Sequence, residues 1–461
     1  MKKGSKRVLA ARKSVVKARA ARVKYNHSFN RGYNCGYDRG HDQAYQSGWE
    51  AGISSFLQPF HGTSIIIVTT NDQRAHLQNC IESIYEHTPE PFEIIIIDNA
   101  STDDTEAYLK TLTGKVRYRV YKSNLGFAGG TNQGLRLARG TTLLFLNNDT
   151  IVTKNWLKNM LTCLYSNEKY GLVGPVTNYI SGEQLIETNY SSTEEMHRFA
   201  AVYNQSDSSK WYRTGRLTGF CVLMRRDVFD RLGYLDEGFE IGNCEDDDYG
   251  LRTRLMGLDL IIVKDTFIHH VGSVSIKALG ERLEEVYGKN LNFYSRKWSD
   301  SHSLLQEVQQ KLEGTTAAMN HFYPTHMVVR GVTSQLYWIE NEFRHPIMDS
   351  VELSSSRISQ LDLRNWRMGM PVNGQEVLNK LTELASESWN AVQLKDGMLV
   401  KNGDYVFQVR GNKIHRIINE WALSYWNLTQ RQPKPISQET LQRYTQGLPI
   451  LAPAVIVANN V

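Results

Sequence analysis

Between Ser64 and about Trp298 the chain alternates short runs of β-branched residues with stretches whose apolar positions recur at helical spacing. Ser64-Ile-Ile-Ile-Val-Thr69 predicts a buried strand, and Leu77, Cys80, Ile81, Ile84 and Tyr85 fall on one face of the helix after it. Glu93 to Asn99 predicts a second strand, apolar until it ends in Asp98. Val116 to Tyr121, a glycine-rich loop and helix over Asn124 to Gly140, and a strand from Thr142 to Asp149 continue the alternation. Short links between strands and helices predict an α/β domain with a mostly parallel sheet wound with helices. Ligands of such sheets bind beyond the carboxyl ends of the strands. Asp98 and Asp149 both stand at such ends.

The flanks have other rhythms. Over residues 1–60 a basic tail leads into a segment with small residues every four positions: Gly32, Gly36, Gly40, Ala44, Gly48 and Gly52. Phe29, Tyr33, Tyr37, His41, Tyr45 and Trp49 keep step with them. A period of four drifts slowly around a helix and sets a small-residue groove beside an aromatic ridge, which predicts self-association through residues 29–52. Glycine costs about 1 kcal/mol per helical position, so a flexible linker stands as the alternative. After the α/β domain at 61–298, Leu304, Leu305, Val308 and Leu312 predict a connecting helix over 299–325. Two similar units follow, 326–375 and 395–455. Ile339 to Ile347 aligns with Val409 to Ile417, and Gly369-Met-Pro-Val with Gly447-Leu-Pro-Ile. Each unit is expected to form a β-hairpin, a Trp-containing helical stretch and a G-x-P exit, suited to an interaction or carbohydrate-contacting module or to a structural appendage.

Composition narrows the classes. The chain has 461 residues, 41% hydrophobic and 10% aromatic, enough for several packed cores and too apolar for a disordered protein. Five cysteines form no C-x-x-C pair, which argues against a disulfide framework and for a reducing cytoplasm. No apolar run reaches the roughly 18–20 residues of a membrane span. The net charge of +5 misleads: residues 1–24 hold ten Lys/Arg and no acid, and the remainder is net −5. The tail is expected to meet anionic lipid headgroups at the cytoplasmic face of the membrane, or else simply to aid solubility. Nucleic acid is not an expected partner, because the body is acidic and carries no recognition motif.

Candidate chemistry clusters in the α/β segment. Asp98 opens a polar turn, D-N-A-S-T-D-D-T, and Gly126, Gly129 and Gly130 precede a helix where a backbone can approach a ligand. Neither G-x-G-x-x-G nor a Walker pattern occurs, so dinucleotide and P-loop chemistry lose support. Glu245-Asp246-Asp247-Asp248 opens the helix containing Leu251, Leu255 and Met256. Taken alone, such acids are a helix start facing water, worth roughly 0.3–1 kcal/mol each. Two like charges ~5 Å apart repel by about 3 kcal/mol at a dielectric near 20, so four together need water or a cation. His269-His270 follows the strand that begins at Asp259.

These stretches together, with L-F-L-N-N-D-T, L-T-G-F-C-V-L-M-R-R-D-V-F, E-D-D-D-Y-G-L-R-T-R and I-H-H-V-G-S-V-S, resemble bacterial family 2 glycosyltransferases of the GT-A nucleotide-diphospho-sugar transferase fold, in their rhamnosyltransferase-like subgroup. The resemblance covers residues 64–275, a little under half of the chain. It implies that Thr69 and Asn71 line a base pocket, that Asp98 contacts base or ribose, and that Asn124, Gly126 and Gly130 border the nucleotide sugar. Asn147-Asn148-Asp149 takes the D-x-D position, leaving Asp149 as its one carboxylate for Mg²⁺ or Mn²⁺. His270 matches the metal-side histidine, with His269 where the family usually has an aromatic residue. Glu245 and Asp246 match the acidic pair at the acceptor hydroxyl, Asp246 as base, with Asp247 solvated and Asp248 supporting. Asn178 to Trp211 is the expected acceptor stretch.

The implied activity is a metal-dependent inverting transfer from a UDP- or dTDP-linked sugar to a cell-surface glycan, lipid-linked or protein acceptor. A nucleotidyltransferase would carry an early G-x-G-T-R-L-type loop, which is missing after the first strand. The alternative from another class is a non-catalytic scaffold or carbohydrate-binding protein built on a transferase-like domain.

Overall fold

The computed structural model describes residues 60–71, 73–272, 280, 282–349, 351–386 and 394–461. The basic tail and the period-four segment lie outside the described residues, and so do the expectations attached to them.

The strands are β1 (Phe60–Thr69), β2 (Phe92–Asp98), β3 (Val116–Val120), β4 (Gly140–Asn147) and β5 (Thr150–Ile151). Then come β6 (Tyr170–Val176), β7 (Trp211–Thr214), β8 (Cys221–Arg225), β9 (Asp259–Phe267) and β10 (His269–His270). Eight of them form one sheet in the order β3-β2-β1-β4-β8-β6-β9-β7. β1 pairs parallel with β2 from Thr63↔Phe92 to Thr69↔Asp98, and β2 with β3. The far half is mixed, because β8 runs against both β4 and β6, and β7 against β9. The fold is therefore the expected α/β class, with more antiparallel pairing than the alternation of runs predicts. Trp211–Thr214 is a short edge strand, half exposed, and its apolar pattern is too weak to announce it.

Helices cover both faces: α1 (Arg74–His87), α2 (Thr105–Leu109), α3 (Gly126–Leu137), α4 (Trp156–Ser166), α5 (Thr193–Tyr203), α6 (Arg226–Leu232) and α7 (Glu245–Leu255). Continuous apolar runs in β1 and β4 follow from this double cover. Successive residues of a strand point to opposite faces. Ile65, Ile67, Leu144 and Leu146 pack against Leu77, Cys80, Ile81 and Ile84 of α1 and Trp156 and Met160 of α4. Tyr85, expected on that buried face, is instead exposed. Ile66, Leu143 and Phe145 join the other layer, with α3, α6 and α7. There Gly134 of α3 lies directly over Ile66, where a Cβ would come within 2.2 Å of its side chain.

After α8 (Arg282–Trp298) and α9 (Ser301–Leu312), which is shorter than the connecting helix expected, the chain builds two five-stranded sheets. Their strands are β11 (Met327–Arg330), β12 (Leu336–Glu340), β13 (Phe343–Pro346), β14 (Ser356–Arg357) and β15 (Arg367–Met368), then β16 (Leu399–Asn402), β17 (Tyr405–Arg410), β18 (Lys413–Arg416), β19 (Lys434–Pro435) and β20 (Thr445–Gln446). The orders β14-β11-β12-β13-β15 and β19-β16-β17-β18-β20 are the same topology twice. Each centre is a three-stranded meander rather than a hairpin. Met327, Val329, Ile339, Trp366, Leu399 and Trp426 belong to the apolar cluster that reaches α7 and β4.

One contact explains the repeated exits. His345 Nδ1 donates to the Met370 carbonyl at 2.8 Å, and His415 Nδ1 to the Leu448 carbonyl at 2.8 Å. Each imidazole lies on the glycine one residue earlier, so that a Cβ on Gly369 or Gly447 would come within 2.4 or 2.1 Å of the ring. Overpacking of this kind costs about 1–3 kcal/mol. Gly447→Ala should therefore lower unfolding free energy by that amount in denaturant titrations. Gly288→Ala in α8, where a Cβ meets nothing within 4 Å, should be neutral or stabilising by up to about 1 kcal/mol. Equal stability of the two variants would contradict the packing argument.

Candidate functional site

A cavity of about 710 Å³ opens at the carboxyl ends of β1 and β4, walled on the far side by the start of α7. Its lining includes Thr69, Asn124, Gly126, Asn147, Asn148, Asp149, Glu245, Asp246 and His270. The sheet order explains the gathering. β1 and β4 are neighbours, so Thr69 and Asn148 end side by side, and the Asn148 amide donates to Thr69 Oγ1 at 3.0 Å.

Three residues expected in the site are outside its wall. Asp98 is fully buried next to Thr69; one carboxylate oxygen accepts from the Ser101 amide at 3.0 Å, and the other has no partner among the described residues. Asn71 is exposed, and its side-chain oxygen accepts from the Thr102 amide, which fixes the turn after β2. Gly130 serves packing instead: a Cβ there would come within 2.8 Å of Val68, so the residue lets α3 press onto β1. The loop before α3 is held by Asn99, part of the D-N-A-S-T-D-D-T turn but given no role by the sequence. Asn99 donates to Asn124 Oδ1 at 2.9 Å and to the Gly126 carbonyl at 3.0 Å, and accepts from the Leu125 amide at 2.7 Å.

Asp149 and His270 meet through a two-stranded ribbon. β5 and β10 pair antiparallel with His270 opposite Thr150, and the Val271 amide donates to the Asp149 carbonyl. Neighbouring strand residues face opposite ways. His270 thus points into the cavity, while His269 points away and meets the Tyr190 hydroxyl at 2.7 Å among aromatic rings. Burial and the nearby His270 lower the His269 pKa. Asn178 brackets the His270 backbone from both sides, and Phe220 stacks on its ring at 5.6 Å.

The ring's tautomer follows from its partner. Nδ1 lies 2.7 Å from the Tyr179 carbonyl, which can only accept, so Nδ1 carries the hydrogen. In the neutral imidazole Nε2 is then a lone pair, and it faces Asp149 Oδ1 at 3.2 Å. Two acceptors at that separation fit one cation held between them. Among the described residues no cluster of three or more His, Cys, Asp or Glu surrounds the point. A hard divalent cation there would take its remaining oxygens from a ligand and water, as Mg²⁺ commonly does.

The four acids of α7 have four different fates. Glu245 is buried in the wall with one carboxylate oxygen unpartnered among the described residues, and burial, then Asp246, pushes its pKa well up. Asp246 accepts from the Gly219 amide at 3.0 Å and the Asp247 amide at 2.9 Å. Desolvation and the Asp247 charge outweigh the Arg216 guanidinium, and its carboxyl is pushed up to about 6. Asp247, expected to be simply solvated, is paired with Arg216 Nε at 2.6 Å. Asp248 turns into the core: burial would raise its carboxyl, but Arg252 and Lys297 hold it below the usual range. The helix start thus sorts its charges. Of the four, Glu245 and Asp246 face the cavity.

The stretch expected to meet an acceptor enters the wall through Asn178 to Ser181 and Leu185. Arg216, and Thr218 of the L-T-G-F stretch, are further polar wall residues to which the sequence assigns no role. No glycine pattern or charge run points to them; their position beyond β7 brings them there.

Residues 64–233 match the family model described as Glycosyl transferase family 2, so the resemblance holds at the level of that family. Polypeptide N-acetylgalactosaminyltransferase 11 of Xenopus tropicalis is 27% identical over 233 residues, 45% of this chain and 38% of that protein. The O-antigen biosynthesis protein RfbC of Myxococcus xanthus is 28% identical over 239 residues, 48% of this chain and 18% of that protein. The chain thus spans less than half the length of these relatives. Among solved structures, the mannosyltransferase PcManGT of Pyrobaculum calidifontis with GDP-Man and Mn²⁺ aligns at 16% identity and TM-score 0.36, over 56% of this chain and 77% of that one.

The Asp149–His270 arrangement makes a direct prediction. Mn²⁺ binding in the presence of a nucleoside diphosphate, followed by calorimetry, should weaken at least about tenfold in Asp149→Asn. Unchanged affinity would remove the pair as a cation site.

Proposed function

We propose, from the Glycosyl transferase family 2 match over residues 64–233, that this chain transfers a sugar from a UDP- or dTDP-linked donor to an acceptor hydroxyl with inversion of the anomeric carbon. The observation that carries the reading is a single cavity with Asp149 and His270 on one wall and Asp246 on another. A bound Mg²⁺ or Mn²⁺ would neutralise the leaving diphosphate, held by Asp149 and His270. Thr69, Asn148 and the loop fixed by Asn99 border the nucleotide.

An acceptor hydroxyl has a pKa far above 7 and must lose its proton as it attacks. Asp246 is the base, and the Gly219 and Asp247 amides fix its carboxylate. Positioned proton transfer is commonly worth 10²–10⁴ in rate, roughly 3–5 kcal/mol. Attack from the face opposite the leaving group inverts the sugar. The reading extends to a rhamnosyltransferase-like specificity, a glycan, lipid-linked or protein acceptor of the cell surface, and action at the cytoplasmic face of a membrane. The N-terminal cluster of ten basic residues supports the last point.

Release of nucleoside diphosphate from UDP-, dTDP- and GDP-sugars with Mn²⁺ tests the reaction. Asp246→Asn should lower it by about 10²–10⁴; full activity in that variant would remove Asp246 as base. The pH profile has a fixed sign. The base works ionised and its carboxyl titrates near 6, so turnover should be low below pH 6 and rise through it to a plateau. A profile flat from pH 5 to 8 would contradict the assignment.

A further inference from the structure

Residues 240–244, immediately before the acids of α7, have a backbone that their side chains resist. Ile241, Asn243 and Cys244 have φ of 62°, 82° and 70°. Positive φ is a true outlier for a β-branched residue, and such residues persist only where the surroundings over-determine them. The surroundings here are one face of α8. Asn290, 1% exposed, accepts from the Glu240 amide at 2.8 Å. Its own amide faces the carbonyls of Glu240, Gly242 and Asn243 at 3.0, 2.9 and 3.0 Å.

One turn on, Phe293 packs on Phe239 with ring centres 4.9 Å apart. Another turn on, Lys297 donates at 2.6 Å to Asp236, before the loop, and at 2.6 Å to Asp248, after it. Spacing of three and four residues puts all three side chains on one face. That face grips the loop at both ends and in the middle. The strained segment also reaches the opposite wall, since the Ile241 carbonyl accepts from the Phe127 amide at 2.6 Å beside Gly126.

We infer that Asn290 is a positioning residue for the transfer reaction: it imposes the backbone of 240–244 that aims Glu245 and Asp246 into the cavity. The inference rests on the proposed transfer and adds to it a residue that touches neither substrate nor the reacting atoms. Lys297 and Asp248 anchor the helix as a whole; of the three α8 side chains on this face, Asn290 is the one that bonds to loop carbonyls. Asn290→Asp keeps the shape and turns a donor into an acceptor facing three carbonyls, and Asn290→Ala removes the grip without adding charge.

The test uses the full chain with Mn²⁺ and UDP-glucose, UDP-galactose, UDP-N-acetylglucosamine and dTDP-rhamnose, measuring nucleoside diphosphate release and amide hydrogen exchange. In folded Asn290→Asp and Asn290→Ala, kcat should fall about 10²-fold, the loss typical of an ångström-scale misplacement, with donor KM within about twofold and faster exchange confined to 240–247. A kcat within about twofold of the unaltered chain, or a loss carried by KM alone, overturns the inference. Should both variants fail to fold, Asn290→Ala is made together with Ile241→Gly, because glycine accepts positive φ and removes strain from the loop: a folded double variant with kcat well below that of Ile241→Gly supports the inference, and a kcat equal to that of Ile241→Gly overturns it. An unaltered chain that turns over none of the donors contradicts the transfer reading itself. Exchange then decides alone, and unchanged protection of 240–247 in the Asn290 variants overturns the inference.

Discussion

The Lys297 ammonium has no exposed surface, and its charge is met by Asp236 and Asp248, each 2.6 Å away. Arg252 pairs with the other oxygen of Asp248, so two cations and two anions balance in the core. The Trp298 indole adds a hydrogen bond to Asp248. Removing one partner from such a cluster typically costs about 3–5 kcal/mol, because a buried charge is left alone. The cluster joins α7, α8 and the chain leading into the strained loop. Where α7 begins, and hence where its acids point, depends on it.

From that fixed point the cavity takes shape. The sheet brings the ends of β1 and β4 together on one side, and the β5–β10 ribbon adds His270 beside Asp149. The other wall is the start of α7, whose acids are divided between core and cavity. Asp248 goes inward to be neutralised, Asp247 is matched by Arg216, and Glu245 and Asp246 remain at the cavity with raised pKa values. The C-terminal units belong to the same architecture. Glu237, next to Asp236, receives the Val457 and Ala458 amides, so the segment leaving the second unit is tied to the chain entering the loop.

Much of the fold was legible because its signals are local. Period-two burial explains Ile65, Ile66 and Ile67, and helical spacing explains α1. The strand-end asparagines and Asp149, the acidic helix start and His270 also come from short motifs, and the structure brings them to one cavity. Other residues could not be placed this way. Gly130 looks like a ligand-approach glycine in sequence, but the side chain of Val68, 62 residues earlier, makes it a packing position. Asn290 and Lys297 lie in an ordinary amphipathic helix, and their meaning comes from partners roughly 50–60 residues away in sequence. Mixed strand direction was hidden for the same reason: no local pattern records which neighbour a strand will meet.

The most direct measurement is a crystal structure of the full chain with Mn²⁺ and a non-hydrolysable nucleotide-sugar donor. The account predicts a metal bound by both the Asp149 carboxylate and His270 Nε2, with its remaining positions filled by donor oxygens and water. It places the anomeric carbon between the diphosphate and Asp246, with the face opposite the leaving group turned toward that carboxylate. A donor bound away from this cavity, or bound in it with Asp246 on the diphosphate side of the anomeric carbon, would contradict the account.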